Sequence, residues 1–239
     1  MYVKKNLIKK VCETVKAFSD EVTFQMNEKG LNSRQMDKSQ IAMIEFKIPN
    51  TSLTKWEGDF SKGDQLYTIS LEKFLQVLSK SKGGDIDIEL GDQVEIKSGQ
   101  TKARLNRILS SNALGKELKA TWETEIKVKE NIINEAIDVI EIISPHILFS
   151  HADTLLMGGE NSEKEDVEIN TFSPTKPDVV KPQTYSLEYI KSFVKHLDKE
   201  SEVKLSFGEK ETRPLPLKIK GVVEGIEMTL YLAPRVEDQ

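Results

Sequence analysis

The chain aligns on itself, and nothing constrains its fold more. Leu7-Ile8-Lys9-Lys10-Val11-Cys12-Glu13-Thr14-Val15-Lys16-Ala17-Phe18-Ser19 falls without a gap on Ile132-Ile133-Asn134-Glu135-Ala136-Ile137-Asp138-Val139-Ile140-Glu141-Ile142-Ile143-Ser144, with Asn6 and Asn131 just ahead. Val22-Thr23-Phe24 and Ile147-Leu148-Phe149 keep the same offset, so the match runs from a helical pattern into a strand pattern. A second pair agrees: Ser70-Leu71-Glu72 and Ser186-Leu187-Glu188 each open a helical pattern, followed by the strand-like runs 86–91 and 203–208. A repeat of this length means one structural unit used twice. The expected domains are 1–109 and 122–239, joined by a connector at 110–121.

Periodicity assigns the element types. Leu7, Ile8, Val11, Val15 and Phe18 recur at the spacing of one helical face, with Lys9, Glu13 and Lys16 opposite and Lys10 on the flank. Leu71, Phe74, Leu75 and Leu78 repeat this in a second helix whose far side carries Lys73, Gln76 and Lys80. Ser70 and Ser186 are suited to N-capping. Alternating runs at 41–48, 86–90, 122–128, 203–207 and 228–232 predict antiparallel strands with one buried face. The predicted fold class is α+β, each unit being two helices on a largely antiparallel sheet. Residues 109–119 lack alternation and read as an exposed connector, Gly158 to Glu163 as a hairpin tip, and 173–183, with Pro174, Pro177 and Pro182, as a loop barred from a central strand.

With 239 residues, 31% charged and 38% apolar, the composition is that of a soluble globular protein. No run approaches the roughly 20 apolar residues of a membrane span, no export signal is visible, and no membrane partner is expected. A formal net charge of -5 makes the average surface a poor polyanion ligand. Cys12, the single cysteine, excludes an internal disulfide framework and suits a reducing compartment.

Catalytic chemistry is not in evidence. Asp85, Asp87 and Glu89 share one strand face, but oxygen-ligand metal sites gather carboxylates from several elements, and Lys80 and Lys82 lie close in sequence. His146, His151 and His196 share no metal-ligand spacing, and Gly83-Gly84 is not followed by the Lys-Ser or Lys-Thr of a phosphate loop. No catalytic residue, metal site or cofactor is expected.

Two segments carry a family resemblance. The run from Asp20 through Gly30-Leu31-Asn32-Ser33-Arg34-Gln35-Met36-Asp37-Lys38-Ser39-Gln40-Ile41-Ala42-Met43, and the ending Leu230-Tyr231-Leu232-Ala233-Pro234-Arg235-Val236-Glu237-Asp238, closely resemble the proliferating cell nuclear antigen family. These are the sliding clamps of archaeal and eukaryotic replication, and the ending looks archaeal. The resemblance spans almost the whole chain and implies a pseudo-sixfold, head-to-tail trimeric ring with helices lining a hole around duplex DNA and sheets outside.

It further implies roles by position. Lys9, Lys10, Lys16 and Lys195 match basic residues of the hole, with Lys80 and Lys191 added by register; such lysines meet phosphates without reading bases. The equivalents of Lys9, Lys10 and Lys16 in the second copy are Asn134, Glu135 and Glu141, a departure that points to DNA contact concentrated on the first domain or to a mixed ring. Partner peptides would dock on Met36, Gln40, Ile41 and Met43 together with Leu118, Tyr231, Ala233 and Pro234. The connector carries Lys116 and Lys119 where many clamps are acidic, so partner preferences are expected to differ. Subunits would join through Arg104 and Arg107 on one edge and Asp166 and Glu168 on the other.

The implied function is a non-enzymatic polymerase processivity factor. Its partners would be double-stranded DNA, the clamp loader replication factor C, DNA polymerase, flap endonuclease and DNA ligase through short clamp-binding peptides, and itself or paralogues as a trimer. It would be cytoplasmic and nucleoid-associated if archaeal, nuclear if eukaryotic. The alternatives are an obligate subunit of a heterotrimeric or repair-specific clamp, and a monomeric interaction module that does not encircle DNA.

Overall fold

The computed structural model describes residues 1–57, 60, 61, 63–109, 114–151, 153–171, 180–211 and 213–235. The chain divides into two compact units, Met1–Lys116 with Val223–Met228, and Glu117–Val222 with Thr229–Gln239.

The first unit runs β1 (Tyr2–Lys4), α1 (Lys5–Lys16), β2 (Glu21–Asn27), β3 (Gly30–Met36), β4 (Ala42–Pro49), β5 (Gln65–Ser70), α2 (Leu71–Lys80), β6 (Asp85–Leu90), β7 (Gln93–Ser98) and β8 (Thr101–Asn106). Its strands pair antiparallel in the orders β1-β6-β7-β8 and β5-β2-β3-β4. Helix α1 buries Leu7, Ile8, Val11, Cys12, Thr14 and Val15, the face the periodicity predicts. Ser70 caps α2 by accepting from the Lys73 N–H at 3.4 Å, and Glu72 in the first turn and Lys80 in the last complement the helix dipole. Between helices and strands, Phe24 packs edge-on against both Phe46 and Phe74, with centroids 6.4 and 6.0 Å away. Each such buried ring contributes about 1.5–3 kcal/mol by leaving water.

The second unit repeats the plan: β9 (Thr124–Lys129), α3 (Glu130–Ile143), β10 (His146–His151), β11 (Leu155–Glu160), β12 (Asp166–Thr171), β13 (Val180–Ser186), α4 (Leu187–Val194), β14 (Glu202–Phe207), the short β15 (Glu209–Lys210) and β16 (Arg213–Pro214), then β17 (Leu217–Val223) and β18 (Ile226–Leu232), whose shared turn and the start of β18 fall in the stretch Val223–Met228 that belongs to the first unit. The order β13-β10-β11-β12 reproduces β5-β2-β3-β4 strand for strand, and β9-β14-β17-β18 reproduces β1-β6-β7-β8. Phe149 stands where Phe24 stands in the first copy and packs against Tyr185 and Phe207 with centroids 6.1 and 6.0 Å away.

Three local expectations need correction. Gly158, Gly159 and Glu160 belong to β11, and the turn follows at Asn161, whose side-chain oxygen accepts from the Glu163 and Glu165 N–H groups. The glycine reports close packing instead: a Cβ on Gly159 would lie 2.8 Å from Ile140 and 2.9 Å from Ser144, so α3 can sit on this strand only if Gly159 has no side chain. Within the loop expected at 173–183, residues 180–183 are strand. Because β13 is an edge strand and its register with β10 shifts between Phe149 and His151, Pro182 is accommodated without a missing ladder donor; Pro174 and Pro177 lie outside the described residues. Ser186 makes no side-chain cap to α4. Met43 is buried at 2% exposure, but as the cross-strand partner of Met36 it lies on the sheet face of Glu45 and Lys47, opposite Phe46, where a Cβ on Gly115 of the connector would lie 3.4 Å from its sulfur.

Candidate functional site

The lysines singled out by sequence lie on the outer faces of the helices, and their own unit supplies most of them with a carboxylate. In the first unit Lys9 faces Glu13 at 3.5 Å, Lys10 pairs with Glu224, and Lys16 pairs with Asp20, which also holds Lys38 at 2.8 Å. Hydrogen bonds from Lys16 and Lys38 pull the Asp20 carboxyl down to about 2. In the second unit Lys191 of α4 pairs with Glu141 of α3. Lys80 and Lys195 are exposed and make no ion pair among the described residues. The α3 outer face carries Glu135, Asp138 and Glu141, together with Val139 and Ile142, the latter 80% exposed. The charge asymmetry between α1 and α3 is therefore a difference between two solvent-facing surfaces.

The docking residues fall in both units. In the first, Met36 and Ile41 are 42% and 41% exposed, which is unusual for large apolar side chains in a strand end and its turn. Asp37 presents them. Its buried carboxylate accepts from the N–H groups of Ala42 (2.8 Å), Ile41 (2.9 Å) and Ser39 (3.1 Å), closing a turn in which Gln40 adopts φ 60°. Arg34 fastens the connector end next to this turn: its guanidinium donates to the Gly115 carbonyl at 3.1 Å and to Glu45 at 3.2 Å, while the Gly115 N–H returns to the Arg34 carbonyl at 3.2 Å. Lys47 adds a contact to Glu45 at 2.9 Å. Burial pushes the Glu45 carboxyl up, but the hydrogen bonds from Lys47 and Arg34 outweigh it and hold the group below the ordinary range.

In the second unit Leu118 is 38% exposed, and Tyr231, Ala233 and Pro234 are half-buried. Tyr231 packs against Trp122 with centroids 5.6 Å apart, and the Trp122 indole N–H donates to the Pro216 carbonyl at 2.9 Å. Beyond Pro234, the Arg235 N–H donates to the Thr184 carbonyl on the outer strand β13 at 2.8 Å, and its guanidinium meets His146. Burial first, and the Arg235 charge second, lower the His146 pKa.

The edge residues lie on strands at the ends of their sheets: β8 in the first unit, β12 in the second. Arg104 and Lys102 converge on Glu95 of β7 at 2.8 and 3.0 Å, and hydrogen bonds from Lys102 and Arg104 pull its carboxyl down to about 2. Arg107 follows the strand and is held within its own unit, donating to the Leu66 carbonyl at 2.9 Å and lying 4.5 Å over the Tyr67 ring. Asp166 and Glu168 are exposed on β12. Of the acids on β6, Asp87 meets the terminal amine at 3.4 Å and Glu89 meets Lys97 at 2.6 Å; no group that could hold a metal occurs among the described residues.

Arg34, Asp37 as the turn's organiser, Trp122 and Lys218 were not singled out by sequence. The turn chemistry of Asp37, an acid followed by a serine two residues on, was legible as an Asx-type turn. The reach of Arg34 to Gly115 was not.

Duplicated α+β units, each with a helix pair on antiparallel sheet and an edge strand open on one side, define the DNA clamp fold. Residues 1–124 match the model of the proliferating cell nuclear antigen N-terminal domain, and the chain belongs to that family. It is 26% identical over 247 residues to the DNA polymerase sliding clamp of Methanococcus vannielii, covering 96% of this chain and 95% of the relative. It is 25% identical over 238 residues to that of Pyrococcus horikoshii, covering 95% and 93%. Among solved structures, A. fulgidus PCNA bound to the C-terminal region of FEN-1 superposes with a TM-score of 0.87 at 17% identity, over 100% of this chain and 98% of that one. The PCNA2-PCNA3 complex from Sulfolobus tokodaii gives 0.77 at 22% identity, over 99% and 100%.

Proposed function

We propose that the chain is one subunit of a sliding clamp that encircles duplex DNA and tethers DNA polymerase and other replication and repair proteins. The observation that carries this reading is the pair of open sheet edges of opposite charge, Lys102 and Arg104 on β8 and Asp166 and Glu168 on β12, in a chain of the clamp family. An edge strand left unpaired seeks another strand, and two complementary edges on one chain join copies head to tail. Such a contact closes into a ring if the rotation allows, and a ring holds DNA by topology with no tight contact.

Lys9, Lys10, Lys16, Lys80, Lys191 and Lys195 then meet phosphates, Lys9, Lys10, Lys16 and Lys191 in competition with the carboxylates beside them, which keeps the association weak, mobile and salt-sensitive. The net charge of -5 is compatible with this because what matters is which surface carries the lysines. Partner peptides from polymerase, flap endonuclease and ligase dock on Met36, Gln40, Ile41 and Met43 with Leu118, Tyr231, Ala233 and Pro234. Opening belongs to an ATP-driven loader. The domains are assigned as 1–109 and 122–239, with 110–121 as the connector, and the setting is nucleoid-associated.

Stimulation of a polymerase on primed circular DNA, lost when the circle is cut, is the test. Light scattering at three times 27.1 kDa, shifting to monomer at high salt, is the expected companion result. A monomer at all salts with no stimulation would refute the reading. The acidic outer face of α3 favours a second reading, membership of a mixed or repair-specific ring; in that case the chain is a monomer alone and a trimer only with its paralogues.

A further inference from the structure

On the second unit's outer sheet face, Lys220, Lys204 and Lys127 stand in one cross-strand row, since Lys204 is the register partner of Lys220 on β17 and of Lys127 on β9. Like charges directly opposite cost stability in a sheet. Lys204 lies 3.7 Å from Glu125 and Lys127 3.3 Å from Glu202, and the side chains of Lys204 and Lys127 remain 38% exposed. The next row along the same face ends in Lys218, whose ammonium lies 4.6 Å over the Trp122 ring and 6.0 Å from that of Tyr231. The aromatic pair is built in: Gly208 lets the Trp122 backbone approach, since a Cβ there would lie 3.2 Å from the Trp122 Cα and 3.0 Å from Leu215. An apolar aromatic ledge thus leads directly onto a lysine field.

From this juxtaposition we infer that the Trp122–Tyr231 ledge and the lysines beyond it form one extended docking surface for an acidic peptide, an apolar or aromatic anchor flanked by carboxylates. The inference rests on the peptide-docking reading above and adds the partner's charge. Rows two residues apart are about 7 Å apart, the advance of two residues of extended peptide, so acids two to four residues from the anchor reach Lys218 and then Lys220, Lys204 and Lys127. A peptide is favoured over nucleic acid because the ledge is bordered by Pro216 and Leu215, which give a side-chain anchor a seat, and because a carboxylate can meet Lys218 while its neighbour's side chain covers Trp122.

The test uses the full chain and two fluorescein-labelled peptides with the same Leu and paired-Phe anchor, one followed by Asp-Glu-Asp and the other by Asn-Gln-Asn. At low salt the acidic peptide is expected to bind about tenfold more tightly, the combined effect of two or three exposed charge pairs, with the gap closing as salt rises. In the triple variant Lys127→Gln, Lys204→Gln, Lys220→Gln, which relieves the like-charge row and should unfold no earlier than the parent, the gap is expected to fall below about twofold. An unchanged gap in that variant overturns the inference while leaving peptide docking intact. Displacement of the acidic peptide by an oligo-dT strand from the parent but not the variant assigns the lysines to nucleic acid and also overturns it. Binding of neither peptide overturns the docking reading itself, and the inference with it.

Discussion

Replacing Asp37 by alanine should show how one buried carboxylate holds the docking turn. Its two oxygens accept three backbone N–H groups, those of Ala42 at 2.8 Å, Ile41 at 2.9 Å and Ser39 at 3.1 Å. Ser39 and Ile41 sit at the surface, where water replaces the lost acceptor at little cost, but Ala42 is 1% exposed and its donor would be stranded. A stranded buried donor costs about 1–3 kcal/mol, and the lost charge-assisted bonds bring the total to about 3 kcal/mol. At roughly 2–4 °C per kcal/mol for a chain of this length, Tm should fall by about 6–12 °C.

Asp37→Asn is the discriminating control. Its remaining carbonyl oxygen can take the place of Oδ1 and serve both Ile41 and Ala42, so its loss should be only about 1 kcal/mol. Urea unfolding followed by circular dichroism measures both, and hydrogen exchange at the Ala42 amide should accelerate in the alanine variant alone. Equal losses for alanine and asparagine, or an alanine variant within about 0.5 kcal/mol of the parent, would refute the claim that these hydrogen bonds hold the turn.

Two further outcomes are expected. Glu45 titrates below the ordinary carboxylate range in the folded chain, so the stability it confers is complete above the unfolded value of about 4.3 and is lost as pH falls through the folded value; Glu45→Gln should flatten this acid limb in urea midpoints taken from pH 6 down to about 3, and an unchanged limb would remove the Arg34–Glu45–Lys47 cluster as its cause. Asp20→Asn and Glu224→Gln free Lys16 and Lys10 from their carboxylates, so duplex affinity at low salt should rise and the slope of log K against log salt should steepen by up to about 0.9 per lysine; a slope equal to the parent's in fluorescence anisotropy would mean that these lysines do not meet phosphate.

Much of the fold was legible because the signal was local and doubled. The α1 face of Leu7, Ile8, Val11 and Val15 is buried as its spacing predicts, and the strands expected at 41–48, 86–90 and 203–207 lie within a residue of β4, β6 and β14. The failures are tertiary. Gly158 and Gly159 carry a turn composition, yet they sit in β11, where Gly159 leaves α3 the space a side chain would fill. Met43 lies opposite Met36 on the same sheet face, yet it is buried there, while Met36, Gln40 and Ile41 stay exposed.

The amino-acid sequence alone determined the duplication, the helix and strand periods, and the motifs that place the chain among the clamps, because each is written in residues close together along the chain. Tertiary structure decided what those residues face. It gave Lys10 the carboxylate of Glu224, tied Gly115 to Arg34 although 81 positions separate them in the chain, and aligned Lys127, Lys204 and Lys220 from three separate strands into one row. Charge acts through space on whatever the fold brings near, and strand register sets those neighbours; neither can be read from spacing along the chain.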